Sequence, residues 1–147
     1  MVNTTESAKI EEPIEASLKM LDLASGVHVE DLAHTQLTFG FYSDLTTLLE
    51  LTENQFFDLL GISVGTRRRL KKTKKLTVME SDYAFAQSQV IHDALELFER
   101  DSKATVNWFV SPCIALSGYT PASLLSTLVG IKTVRALIWK IEHGVYP

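Results

Sequence analysis

Residues 51–72, LTENQFFDLLGISVGTRRRLKK, constrain the fold more than any other stretch of this chain. Thr52 and Gln55 stand three apart ahead of an apolar run, the spacing of a capping box. In that arrangement the threonine oxygen takes the Gln55 amide and the glutamine side chain returns the bond. Phe56, Leu59 and Leu60 supply one apolar helical face. Gly61-Ile62-Ser63 reads as a tight turn. Gly61 tolerates the left-handed backbone that ends a helix, and Ser63 is suited to cap the next. That second helix carries Thr66 to roughly Lys72. Helix, short glycine turn, helix is the layout of a helix-turn-helix.

The rest of the chain repeats the helical period. Residues 1–12 read as a loose tail. Pro13 suits a first helical turn, with Ile14, Leu18 and Leu21 following at i, i+4 and i+7 until Ser25-Gly26 breaks the pattern. Short helices are expected at residues 29–35 and 44–50, the second with Leu45, Leu48 and Leu49 inward. Residues 81–100 form the longest expected helix, with Tyr83, Ala86, Val90, Ala94, Leu97 and Phe98 as its stripe. Ser102 is placed to cap a helix running through Phe109, and Pro112 stops it. Thr120-Pro121 reads as a helix start, a hydroxyl at the cap and proline behind it. Leu124, Leu125, Leu128, Val134, Leu137, Ile138 and Ile141 supply core, with Gly130 separating two segments and Gly144 ending the last. Period-2 alternation never lasts more than a few residues. The reading is an all-α chain of seven or eight short helices.

Length allows one domain, or two small ones sharing a core: the chain has 147 residues. An apolar fraction of 46% is ordinary for a globular chain. No apolar run reaches the roughly 18–20 residues of a membrane span, and the polar, acidic start lacks the features of a secretory signal. The one cysteine, Cys113, excludes an internal disulfide and a cysteine zinc cage, and reads as a small buried hydrophobe. His92 and Glu96, at i and i+4, make half a metal pair with no second half. Nucleophile–base pairs and phosphate-binding glycine loops are missing as motifs. The expectation is a reduced cytoplasmic protein, not an enzyme, without membrane, metal or cofactor.

Charge is uneven. The net charge is −4, yet seven of the fourteen Lys and Arg residues fall within residues 67–75. Arg67, Lys71 and Lys75 recur every fourth residue, as do Arg68 and Lys72. Like charges at that spacing repel in an isolated helix. Two readings stand: a solvated face balanced by the acidic N-terminal half, or a face that meets DNA phosphates. Placed behind a helix-turn-helix, the second is the working expectation. It makes Ser63, Thr66, Arg67, Arg68, Arg69, Lys71, Lys72, Lys74 and Lys75 candidate operator-DNA contacts. Ser63, Val64, Gly65, Thr66 and Arg68 lie where base edges are reached.

Residues 51–72, with LTVMESDYAFAQSQVIHDALELF and the closing WFVSPCIALSGYTPASLLSTLVGIKTVRALIWKIEHGVYP, resemble the Xre/MbcA/ParS-like antitoxins, above all the Xre partners of RES-domain toxins. The resemblance runs from about residue 29 to the end. Its most specific pieces are the series Trp108, Pro112, Ala115-Leu116, Gly118, Thr120-Pro121, Leu124-Leu125 and Gly130, and the closing Ile141-Glu142-His143-Gly144-Val145-Tyr146. It implies a DNA-binding half at residues 29–79, a toxin-binding and dimerisation half at 80–147, and an extension at 1–28. It also implies a homodimer and a cognate RES-type toxin that degrades NAD, with the toxin met by Lys140, His143, Gly144, Val145 and Tyr146. Arg67 stands where the family usually has an inward apolar residue, so its stem is expected to snorkel or the helix to roll. Gly65 loosens the same helix by roughly 1 kcal/mol relative to alanine. A stand-alone dimeric transcription regulator and a ParS-like protein-interaction adaptor are the alternative readings.

Overall fold

The computed structural model describes residues 36–145. Within them the chain forms six α-helices: α1 Gly40–Leu48, α2 Glu53–Leu59, α3 Val64–Thr73, α4 Val78–Leu97, α5 Ser102–Val110 and α6 Leu128–Glu142. Two 3-10 turns, Ile114–Leu116 and Ala122–Leu124, sit between α5 and α6. Among the described residues there is no strand, only one isolated antiparallel bridge between Thr38 and Lys75. The fold is all-α. The helices expected upstream of Gln36 lie outside the described residues. Among the described residues no helix is long and apolar enough to cross a membrane.

The local signals of residues 51–72 act as anticipated. Both bonds of the Thr52–Gln55 capping box form, at 2.9 and 3.2 Å. Gly61 takes a left-handed φ of 67°, and the Ser63 hydroxyl accepts the Thr66 amide to cap α3. Phe56, Phe57, Leu59 and Leu60 are buried. With Phe39 and Tyr42 they build an aromatic cluster in which Tyr42 meets Phe57 edge-on, centroids 5.8 Å apart. Burial, with the Glu80 charge added, pushes the Tyr42 hydroxyl up to about 12.

Other elements depart from expectation for physical reasons. Helix α1 begins at Gly40, not residue 44, because Phe41 and Tyr42 are buried in the core. Helix α4 begins at Val78, where Thr77 and Glu80 form a second capping box. It ends at Leu97, where Glu99 and Arg100 turn left-handed without a glycine. Its buried stripe is Ser81, Ala84, Gln87, Ser88, Val90, Ile91, Ala94 and Leu95, while Tyr83, Ala86, Leu97 and Phe98 are half-buried. Helix α5 is capped by Asp101 rather than Ser102. The Ser102 hydroxyl instead donates to Glu50 at 2.5 Å. Thr120-Pro121 opens a 3-10 turn, not a helix. The final helix waits for Thr127, whose hydroxyl accepts the Gly130 amide at 3.0 Å.

Gly130 therefore lies inside α6 and separates nothing. A Cβ built there would sit 1.9 Å from the Leu124 carbonyl oxygen. The preceding turn crosses that close to the helix, which only glycine permits. Helix α6 packs chiefly on α4, and buried residues from Phe39 to Ile138 form one continuous cluster. The Gln87 amide crosses this core to donate to the Leu125 carbonyl at 2.8 Å. The expected boundary between residues 79 and 80 falls within the first turn of α4.

Candidate functional site

Two surfaces carry the residues singled out above. The first is helix α3. Its seven-cation cluster divides into residues with and without partners inside the protein. Arg67 does snorkel. Its side chain is 17% exposed, pairs with Asp58 at 2.6 Å, donates through Nε to the Ile62 carbonyl at 2.8 Å, and lies over the Phe57 ring. Arg69 pairs with Glu80, and Lys71 with Glu53 at 3.0 Å. Lys74, left-handed at the end of α3, sets its ammonium over the Phe39 ring. Arg68, Lys72 and Lys75 are exposed and form no ion pair among the described residues.

The hydroxyls divide likewise. Ser63 donates to the Thr66 hydroxyl at 3.0 Å. Thr66 is half-buried and lines a cavity of about 380 Å³ with Met79, Tyr83 and Gln87, so it faces α4. Burial would raise the Glu80 carboxyl, but hydrogen bonds from Thr77 and Arg69 outweigh it and hold the group below the usual carboxylate range. Glu80 thus caps α4 and tethers α3 at once.

The second surface is the end of α6. His143 caps the helix, Gly144 turns left-handed at φ 65°, and the Val145 amide donates to the Lys140 carbonyl at 2.8 Å. With the Gly144 amide donating to Ile141 at 3.2 Å, this is a Schellman motif. The His143 ring stacks on Trp139 with centroids 4.1 Å apart, and its Nδ1–H donates to the Trp139 carbonyl at 2.8 Å. Lys140, His143, Gly144 and Val145 are all exposed. Tyr146 lies outside the described residues. Trp139, 55% exposed, was missed as a member of this surface, although its spacing from His143 at i+4 was visible.

Elsewhere the chemistry is sparse. Cys113 is half-buried against the core. Among the described residues no three His, Cys, Asp or Glu gather as a metal site. Of the apolar residues expected to supply core, Leu125, Val134, Leu137 and Ile138 do so. Leu128 and Trp139 remain exposed, joined by Val129 at 76%.

The class these surfaces define is an all-helical protein with a cationic helix and an exposed, aromatic-lined helix terminus. Residues 93–144 match the antitoxin Xre/MbcA/ParS C-terminal toxin-binding domain, a span that holds the whole second surface up to Gly144. The chain is 30% identical over 136 residues to an antitoxin Xre of Pseudomonas putida, covering 89% of this chain and 81% of the relative. It is 27% identical over 123 residues to an antitoxin Xre of Photorhabdus laumondii, 83% of each. It is 35% identical over 81 residues to one of Yersinia enterocolitica, about half of each chain. This chain belongs to the Xre antitoxin family.

Proposed function

We propose that this protein is the antitoxin of a type II toxin–antitoxin system. It blocks a RES-type NAD-degrading toxin with its C-terminal half and represses its own operon through α2 and α3. It acts in the cytoplasm, as a homodimer within a larger toxin–antitoxin complex. The observation that carries this reading is a coincidence of place. The matched toxin-binding domain ends on the helix terminus whose backbone is closed by its own Schellman bonds and whose side chains face solvent. A preorganised end of this kind presents Val145, His143 and Trp139 at little ordering cost, and aromatic residues are typical interface anchors. For the DNA half, the support is the helix-turn-helix order together with exposed cations on α3.

The test is NAD consumption by the cognate toxin mixed with intact protein or with protein lacking residues 142–147. The deletion removes no buried side chain among the described residues. Helix content and operator binding are expected to stay near those of the intact protein, while the toxin escapes inhibition. Stoichiometric inhibition by the truncated protein would move the blocking surface to the 3-10 turn at residues 122–124 and the body of α6.

A further inference from the structure

Helix α3 offers far fewer free groups to DNA than its composition suggests. Ser63, Thr66, Arg67, Arg69 and Lys71 each have a partner within the protein. What faces outward without a partner is a narrow strip: Val64, Gly65, Arg68 and Lys72. Val64, Arg68 and Lys72 follow one another at i+4 and so share a face. Val64 is 64% exposed, an apolar side chain left in water in the first turn of a cationic helix. A Cβ built on Gly65 meets nothing within 4 Å, so that side of the first turn is open to close approach. The strip's charge is positive only, which suits a polyanion.

We propose that Val64 and Arg68 are the base-reading pair of this protein, set against a thymine methyl and a guanine edge on neighbouring base pairs of the DNA major groove. The inference rests on the DNA-binding reading above. The thymine 5-methyl is the one apolar feature on the major-groove floor, and a branched aliphatic side chain matches it. The two acceptors of guanine, O6 and N7, match the arginine fork, and Arg68 has no internal partner competing for that fork. Lys72, a turn further on, lies over the phosphate backbone as a point charge. Arg67 is a positioning residue. Its bonds to Asp58 and the Ile62 carbonyl lock the turn that aims α3, and it contributes neither base contact nor phosphate charge.

Selection of the full-length protein on a duplex library with a randomised central segment tests this. The wild type should enrich sites with adjacent thymine and guanine. Arg68→Ala should lower preference for that guanine about ten- to hundred-fold. Arg68→Lys should keep the salt dependence of the wild type, since it keeps the charge, and should blunt rather than abolish the guanine preference, because an ammonium also reaches O6 and N7 but lacks the fork. Replacing the thymine by uracil, which lacks the methyl, should weaken wild-type binding and leave Val64→Ser binding unchanged. Arg67→Met should weaken binding to all sequences alike, because the turn that aims α3 is no longer tied, while the salt slope and the order of base preferences stay those of the wild type. Retention of the full guanine preference by Arg68→Ala, indifference of the wild type to uracil, or binding without any enriched motif would each overturn the assignment. Absence of all salt-sensitive DNA binding by the wild type would overturn the DNA-binding reading with it.

Discussion

Gly130 shows how one residue can be decided by its surroundings. On propensity alone, alanine within a helix is favoured over glycine by about 1 kcal/mol. Here the added Cβ meets a backbone carbonyl at 1.9 Å, and backbone yields less readily than a side-chain tip. Overpacking costs about 1–3 kcal/mol, which exceeds the propensity gain. Gly130→Ala is therefore expected to destabilise the fold by up to about 2 kcal/mol net, read as a lower urea midpoint at unchanged slope. Nothing in the sequence distinguishes this glycine from a helix breaker, because the deciding atom belongs to Leu124 across a turn. Arg67 was partly legible. A cation at an inward position had to snorkel, but its partners, nine residues back at Asp58 and five back at Ile62, follow only from how α2 and α3 cross.

At the scale of elements, the capping boxes were the most legible features because all their atoms lie within four residues. The Thr52–Gln55 box was read directly, and Thr77–Glu80 has the same signature ahead of α4. The face of α4 was less legible. Ser81, Gln87 and Ser88 are buried, which no hydrophobic period predicts. The two hydroxyls and the Gln87 amide nitrogen are answered by the Thr77, Phe85 and Leu125 carbonyls, while the Gln87 Oε1 is buried without a partner among the described residues. Glu80 supports a prediction at this scale. Its carboxyl is held below the usual range, so the stability it confers is present above pH 4.5 and is lost as pH falls towards its lowered value. Glu80→Gln keeps a side chain that can complete the capping box and removes only the charge. The stability gap between wild type and variant should be widest near neutrality and should close below pH 4.5, as followed by chemical denaturation across that range.

At the scale of the molecule, the sequence indicated an all-helical chain with charge at one end and a recognition surface at the other. Most of the α6 leucines and isoleucines fill the chain's own core, as their helical period implies, but Leu128 stays 50% exposed. The homodimer we propose uses apolar residues that stay outside, Leu128 and Val129 at the start of α6 among them. These lie about 16 Å along the helix from Trp139, so dimer contact and toxin contact need not compete. Sedimentation should show a dimer at micromolar concentration without toxin, and Val129→Glu should shift it to monomer without loss of helix content. A wild-type monomer under those conditions would remove the dimer. The position of α4 has a consequence for inheritance. Its first turn is tied to α3 through Arg69, and its later turns are buried against α6, so both halves lean on one helix. A crossover between two such genes within residues 78–97 would cut that helix and mismatch one half or the other. On the function proposed above, toxin specificity and operator specificity would travel together through recombination, and change separately only by point substitution on α3 or at the end of α6.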